Sequence, residues 1–406
     1  MNLLGQGLTE VQILKLRFID PRMFKHIDWL LFANIMVLIF ISLVAIASAV
    51  SEPLTENTGS ISAAMTQLDL DYVFQQLSWF GVGLFAMFVV LLPDYHAIGE
   101  YYKWIYIILI VLLVAVFFLG KEVNGTKGWF RIGNSGFQPS EIGKIAIIIM
   151  MARMISNRTK GKDGGITKVK ELLPIIGIFL VPLALIIIQP DFGTAMVYVF
   201  TFFSMLFMAR TSLKLLFGML GVVGVVLPAS WFVLAEWQKN RIYSFLGIQT
   251  EGMTDQQMAD NARQANQAKT AIGSGQLSGK GLFSLGGESR LSHIAEKHTD
   301  FIFASTTEAV GFIGAMFIIL LYFVLIIRTM WLATKAKDDF GSLIIVGVLA
   351  MTLFHIFENI GMNIGVMPIT GIPLPFFSYG GSNLLTNMIA FGLVINVSMR
   401  RQRWSF

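Results

Sequence analysis

The run His293-Ile294-Ala295-Glu296-Lys297-His298-Thr299-Asp300 gathers imidazoles, carboxylates and an ammonium, then enters apolar Phe301-Ile302-Phe303. An acid at such a boundary loses part of its hydration, which lifts its pKa toward that of a usable general base. Asp300 is therefore the candidate base, with His298 and Thr299 as the polar groups beside it. A helix cap with interfacial charges is the competing reading of the same residues. A zinc protease is excluded, because neither H-E-x-x-H nor H-x-x-E-H occurs in this segment.

Four other stretches carry polar groups where burial should cost them. Gln138-Pro139-Ser140-Glu141-Ile142-Gly143-Lys144 opens an apolar run, and spacings of three and six put Gln138, Glu141 and Lys144 near one helical face. A charge inside a membrane span costs at least about 2.5 kcal/mol. The two charges are then either an internal pair or the polar wall of a cavity that meets an ionic ligand. Upstream, Lys127, Trp129 and Arg131 combine cations with aromatics, as a membrane-interface anchor does and as a site for a lipid-linked phosphate would. In Gln189-Pro190-Asp191-Phe192-Gly193-Thr194 the acid either caps the following helix or stands with Thr194 at the mouth of a cavity. Lys280 ends a run of small residues from Ala271; this is a flexible loop or a cradle whose backbone N–H groups approach a phosphate. It is not a Walker A loop, since Gly281 follows Lys280.

The elements that position these groups must sit in lipid. Of the 406 residues, 55% are apolar and only 14% charged, too little polar surface for a soluble protein. Cytosolic enzyme, disordered chain and secreted domain are excluded. The absence of cysteine removes disulfides and thiolate chemistry. Spans of roughly 20 apolar residues are expected near 29-50, 78-93, 103-119, 140-156, 172-188, 192-209, 213-236, 304-333, 342-360 and 382-398. With the N-terminus inside, well over half of the 30 Lys and Arg residues fall in inside segments, which favours both termini in the cytoplasm. Ala45-Ile46-Ala47-Ser48-Ala49 resembles a signal-peptidase site only superficially, because the preceding polar region is long; the first span is expected to be retained.

The expected fold is thus an all-α integral membrane protein of about ten transmembrane helices, N-in and C-in. A long extracytoplasmic loop, 237-303, joins helices 7 and 8. Its organisation is 1-28 cytoplasmic, 29-398 one polytopic domain without internal repeats, and 399-406 a cytoplasmic tail. From Asn359 to Asn383 three prolines and many glycines forbid a regular helix in a stretch too apolar for water. A re-entrant or protein-buried segment before helix 10 is expected there, with Ser378 as one of its hydroxyls.

Taken together, Gly128-Trp129-Phe130-Arg131 with Gln138-Pro139-Ser140-Glu141-Ile142-Gly143-Lys144, then Gln189-Pro190-Asp191-Phe192-Gly193-Thr194, His298-Thr299-Asp300-Phe301-Ile302-Phe303-Ala304 and Pro373-Leu374-Pro375-Phe376-Phe377-Ser378-Tyr379-Gly380-Gly381-Ser382 resemble the SEDS family of bacterial cell-wall polymerases. Asn359-Ile360-Gly361-Met362 and Thr370-Gly371-Ile372-Pro373 look more like its elongation branch (RodA) than its division branch (FtsW). The resemblance implies a peptidoglycan glycosyltransferase in the bacterial plasma membrane, with its active site facing the extracytoplasmic side, that polymerises lipid II. It implies a class B penicillin-binding protein, a transpeptidase, as partner; no nucleic acid is expected. By the same resemblance Asp300 is catalytic. Lys127, Trp129, Arg131, Gln138, Glu141, Lys144, Asp191, Thr194, Lys280, His298, Thr299 and Ser378 are candidate substrate-binding residues. A divalent cation, Mg2+ or Mn2+, is an expected aid to the diphosphate leaving group, and no organic cofactor is expected. Two departures stand out: Glu308 is followed by Ala309 where the family often has a second acid, and Ser51 to Leu70 forms a long insertion. A flippase of lipid-linked precursors and a non-catalytic scaffold are the rival readings.

Overall fold

The computed structural model describes residues 25–51, 70–123, 126–132, 135–160, 165–230, 255–283 and 296–401, with isolated positions between 232 and 248. Most of the 1-28 segment and of the 399-406 tail, the core of the insertion, His293 and the side chain of Lys127 lie outside the described residues.

The helices are α1 (Trp29–Val50), α2 (Asp71–Leu91), α3 (Tyr95–Glu100), α4 (Tyr102–Leu119), α5 (Pro139–Thr159), α6 (Val169–Ile188), α7 (Phe192–Met208), α8 (Leu213–Ser230), α9 (Asp255–Ser274), α10 (Ile302–Thr334), α11 (Asp339–Ile364) and α12 (Gly381–Met399). Seven of them, α1, α2, α4, α6, α10, α11 and α12, are long and apolar enough to cross a membrane; α7 and part of α8 are shorter apolar helices. The layering is inside out relative to a soluble protein. Phe40, Phe85, Phe118 and Phe323 stand exposed on the periphery, where lipid rather than water is the compatible solvent.

α5 and α12 form the centre. α5 carries Glu141, Lys144, Arg153 and Arg158 yet is buried along most of its length. α12 packs along α2 and buries nearly every residue. Pro139 occupies the first turn of α5, where its missing N–H leaves no helical bond unmade.

Three features correct the sequence expectations. Between α4 and α5 lies an antiparallel sheet of β1 (Lys121–Val123), β2 (Thr126–Ile132) and β3 (Ser135–Phe137), so the chain is not all-α. Phe130 pairs with Phe137 and Arg131 with Gly136. The sequence signal was Asn124-Gly125 between runs of β-branched and aromatic residues. Second, the polar stretch from Asp255 is the helix α9, consistent with its Ala, Gln, Met and Lys content and lack of proline. Third, Asn359 to Ile364 completes α11. Irregular backbone begins only at Gly365, the left-handed C-cap, and runs to Gly380.

That non-helical segment, 366–380, is enclosed by protein: Leu374, Phe376 and Phe377 are fully buried. Side chains from four helices meet its carbonyls. Ser42 donates to Phe377 O at 2.6 Å, Tyr322 to Pro375 O at 2.7 Å, Asn359 to Ile372 O at 2.8 Å and Gln76 to Ser378 O at 3.3 Å. Without such partners, buried carbonyls outside a helix would each cost several kcal/mol at membrane depth.

Candidate active site

Asp300 lies at the end of a turn leading into α10, and its backbone is held from α11. Asn359 and Asn363, one helical turn apart, donate Nδ2–H to the Asp300 carbonyl at 3.0 and 3.1 Å. Asn363 also accepts from Ala304 N at 3.1 Å, and this ties the first turn of α10 to α11. The Asp300 carboxylate rests against Gly371, whose φ of 76° is one that side chains disfavour; a Cβ there would stand 3.4 Å from Asp300 Oδ2.

The two preceding residues are held by the same segment. Ser378 Oγ donates to Thr299 O at 2.7 Å and accepts from Leu374 N at 2.8 Å. Tyr379 N donates to His298 O at 3.0 Å. The His298 ring lies 4.7 Å from that of Tyr72 and 5.5 Å from that of Tyr379, whose hydroxyl donates to Gln75 Oε1 at 2.7 Å. Ser378, His298, Thr299 and Asp300 thus converge on one cluster.

Burial pushes the His298 imidazole below its ordinary value, with Lys297 adding to the fall and Glu296 opposing it. The folded state then binds fewer protons than the unfolded chain in the interval below about pH 6.5. Stability therefore falls as pH drops from 6.5 to the folded value. We predict that a pH series of thermal unfolding in detergent shows a smaller acid-side loss for His298→Gln than for the unsubstituted protein; equal slopes would refute this.

A second cluster forms where α5 meets α7. Asp191 caps α7, its Oδ1 accepting from Thr194 N at 3.1 Å. Its Oδ2 accepts from Gln138 Nε2 at 2.8 Å and from Ser140 Oγ at 3.4 Å. Burial raises the Asp191 carboxyl against the opposing N–H of Thr194. Asp191 is thus the helix cap of the first reading, and its second oxygen bonds the start of α5. One turn deeper, Lys144 Nζ lies 2.6 Å from Glu141 Oε1 and 2.9 Å from His355 Nε2.

The clusters touch through the 366–380 segment. His355 Nδ1 lies 3.3 Å from Pro373 O, and a Cβ on Gly193 would stand 2.8 Å from the Ile372 side chain. Ser382 accepts from Gln138 N and donates to Gly136 O of β3, both at 3.1 Å, and this joins the sheet to the start of α12. Trp129 and the exposed Arg131 ride on β2; the sheet places them beside this junction without a side-chain bond to either cluster among the described residues. Lys280 is elsewhere: its ammonium pairs with Glu308 at 2.9 Å, and its N–H and that of Gly281 are taken by the carbonyls of Glu308 and Ala309. The backbone donors required by the phosphate-cradle reading are therefore occupied.

No three His, Asp or Glu side chains converge as metal ligands among the described residues. Asn359, Asn363, His355, Tyr72, Gln75 and Ser382 were not among the candidate site residues read from the sequence. The i, i+4 spacing of Asn359 and Asn363 would have marked a polar helix face had that stretch been read as helix.

These contacts define a multi-pass helical membrane protein whose polar centre is assembled on a buried non-helical segment. A family model described as a cell cycle protein family, FtsW/RodA/SpoVE, matches residues 28–403. The chain belongs to that family, the SEDS proteins. It is 33% identical over 338 residues to peptidoglycan glycosyltransferase MrdB of Escherichia coli (strain K12), spanning 83% of this chain and 88% of that protein. It is 36% identical over 334 residues to stage V sporulation protein E of Bacillus subtilis (strain 168), 80% of this chain and 86% of that protein. Among solved structures, a chain of a peptidoglycan synthase complex that coordinates polymerization and crosslinking aligns with a TM-score of 0.72 at 25% identity, covering 92% of this chain and 97% of that one. RodA of Thermus thermophilus aligns at 0.66 and 24% identity, covering 93% and 98%.

Proposed function

We propose that this protein is a peptidoglycan glycosyltransferase of the elongation type, polymerising lipid II into glycan strands at the outer face of the plasma membrane. The reading is carried by the backbone clamp on Asp300 in a chain whose relatives bear that activity. Asp300 acts as general base: it takes the proton from the 4-hydroxyl of the acceptor GlcNAc as that oxygen bonds to the anomeric carbon of the donor MurNAc. The bond from that carbon to the phosphate oxygen breaks, and undecaprenyl diphosphate leaves with the electron pair. One in-line displacement converts an α-linked diphosphate into a β-linked glycan, so no covalent enzyme intermediate is needed. Arg131 and Lys127, on the strand beside the junction, offset the charge of the leaving group. Gln138, Asp191 and Thr194 line the polar mouth, and Glu141 with Lys144 supports it from below.

The same reading places ten spans with both termini in the cytoplasm, the 29-398 membrane domain as the catalytic unit, and a class B penicillin-binding protein as the partner that cross-links the product. The intramembrane Glu141–Lys144 pair is the observation that favours a flippase instead. Purified protein in liposomes supplied with fluorescent lipid II separates the readings. Lysozyme-sensitive polymer is the expected product; transfer of lipid II between leaflets without polymer would replace the enzyme with a flippase.

A further inference from the structure

α10 is broken at Gly311, whose φ of 71° and ψ of −172° interrupt the helix. A break in a buried apolar helix frees carbonyls before it and N–H groups after it, and each needs a partner. The chain that follows α9 supplies them. Gln276 O accepts from Phe312 N at 2.8 Å and Leu277 O from Ile313 N at 3.2 Å; Lys280 N donates to Glu308 O at 3.0 Å and Gly281 N to Ala309 O at 2.9 Å. The approach is close enough that Gly279, at φ 78°, and Gly311 each leave no room for a Cβ against the other's backbone neighbours.

The side chains seal this splint. Glu308 is 1% exposed, and its Oε1 accepts from Lys280 Nζ at 2.9 Å and from Ser274 Oγ at 3.3 Å. α9 adds an apolar contact, with Ala268 and Ala271 packed on Phe301 and Ala304, and Ile272 and Ile369 against the same cluster. Residues 302–310 are thus bonded to 276–281 by backbone and ion pair, and they join the rest of α10 through a non-helical glycine and through this splint. The 276–281 segment therefore bridges the break, bonded on one side to the short helical piece that follows Asp300 and on the other to the first residues of the long membrane helix, while Ala304 N ties the short piece to α11 as well.

We propose that Lys280 is a positioning residue: through Glu308 it latches the 276–281 splint to the first turns of α10 and so fixes where Asp300 stands. The proposal rests on the reading of Asp300 as general base. Misplacing a reacting group by about 1 Å costs on the order of 100-fold in rate, so a loosened latch lowers turnover without touching substrate affinity.

The test uses full-length protein with lipid II. Lys280→Met and Glu308→Gln are each expected to lower kcat at least tenfold with KM for lipid II unchanged, the double variant to lose no more than either single one, and Lys280→Arg to recover most of the rate. A rise in KM with kcat unchanged would overturn the latch and make Lys280 a substrate ligand. A second readout does not depend on activity. Because the chain has no cysteine, Leu277→Cys with Ile313→Cys reports the splint alone through the rate of disulfide formation. Lys280→Met is expected to slow that cross-linking severalfold in protein that still elutes as a folded species; an unchanged rate would refute the latch. If instead Asp300→Asn polymerised normally while Lys280→Met slowed cross-linking, the base assignment would fall and the latch would stand.

Discussion

Asp300→Asn is expected to lower lipid II polymerisation by about 10²- to 10⁴-fold, the range contributed by a positioned general base, with the fold intact. The fold is expected to survive because the backbone of residue 300 is held in its own right. The Asn359 and Asn363 amides donate to its carbonyl and do not depend on the carboxylate. An isosteric amide also fills the same space against Gly371 but has no basic oxygen to accept the acceptor's proton. Asp300→Glu makes the complementary case. Its extra methylene moves the carboxylate by more than ~1 Å from where Asp300 holds it, and since a misplacement of about 1 Å costs on the order of 100-fold, the rate is expected to fall well below that of the unsubstituted protein despite retention of the base. Turnover of fluorescent lipid II, with gel filtration and partner pull-down on the same preparations, checks both. Polymerisation at the original rate by Asp300→Asn would remove Asp300 from catalysis.

The sequence exposed the chemistry better than the scaffold. Asp300, Glu141, Lys144 and Asp191 were visible because charge inside an apolar context is costly and therefore rare. Their grouping into two clusters was not visible, because the connecting residues are neutral. Asn359, Asn363, Ser378 and Ser382 act through hydrogen bonds to backbone 4 to 246 residues away, and nothing local in a sequence announces most of these partners. The non-helical 366–380 segment was legible from its prolines, whereas its start was misplaced because the glycines of Asn359 to Gly365 were weighed as breakers when only Gly365 takes a left-handed φ. The splint on α10 was illegible for a related reason. Gly311 and Gly279 are ordinary glycines in sequence, and only their mutual approach gives them meaning. Lys280 looked like a phosphate ligand because its true partner, Glu308, lies 28 residues on, in the next helix.

The second large effect is expected at Lys144. Its side chain is 3% exposed and that of Glu141 6%, so neither charge is solvated, and Glu141 Oε2 has no hydrogen-bond partner among the described residues. Lys144→Met leaves a carboxylate buried without a counter-charge, a loss of about 3–5 kcal/mol. Lys144→Met combined with Glu141→Gln removes both charges and is expected to regain most of that stability in thermal unfolding in detergent. Activity should not follow stability. An ammonium donating to His355 Nε2 requires the ring proton on Nδ1, where it faces Pro373 O. The ammonium thereby fixes the tautomer that holds the segment bearing Gly371 and Ser378. The double variant keeps the fold but frees the imidazole to turn, so its polymerisation rate is expected to stay at least tenfold down. A stable double variant with full activity would show instead that the pair only neutralises itself, and that the 366–380 segment is held well enough by Asn359, Tyr322 and Ser42 alone.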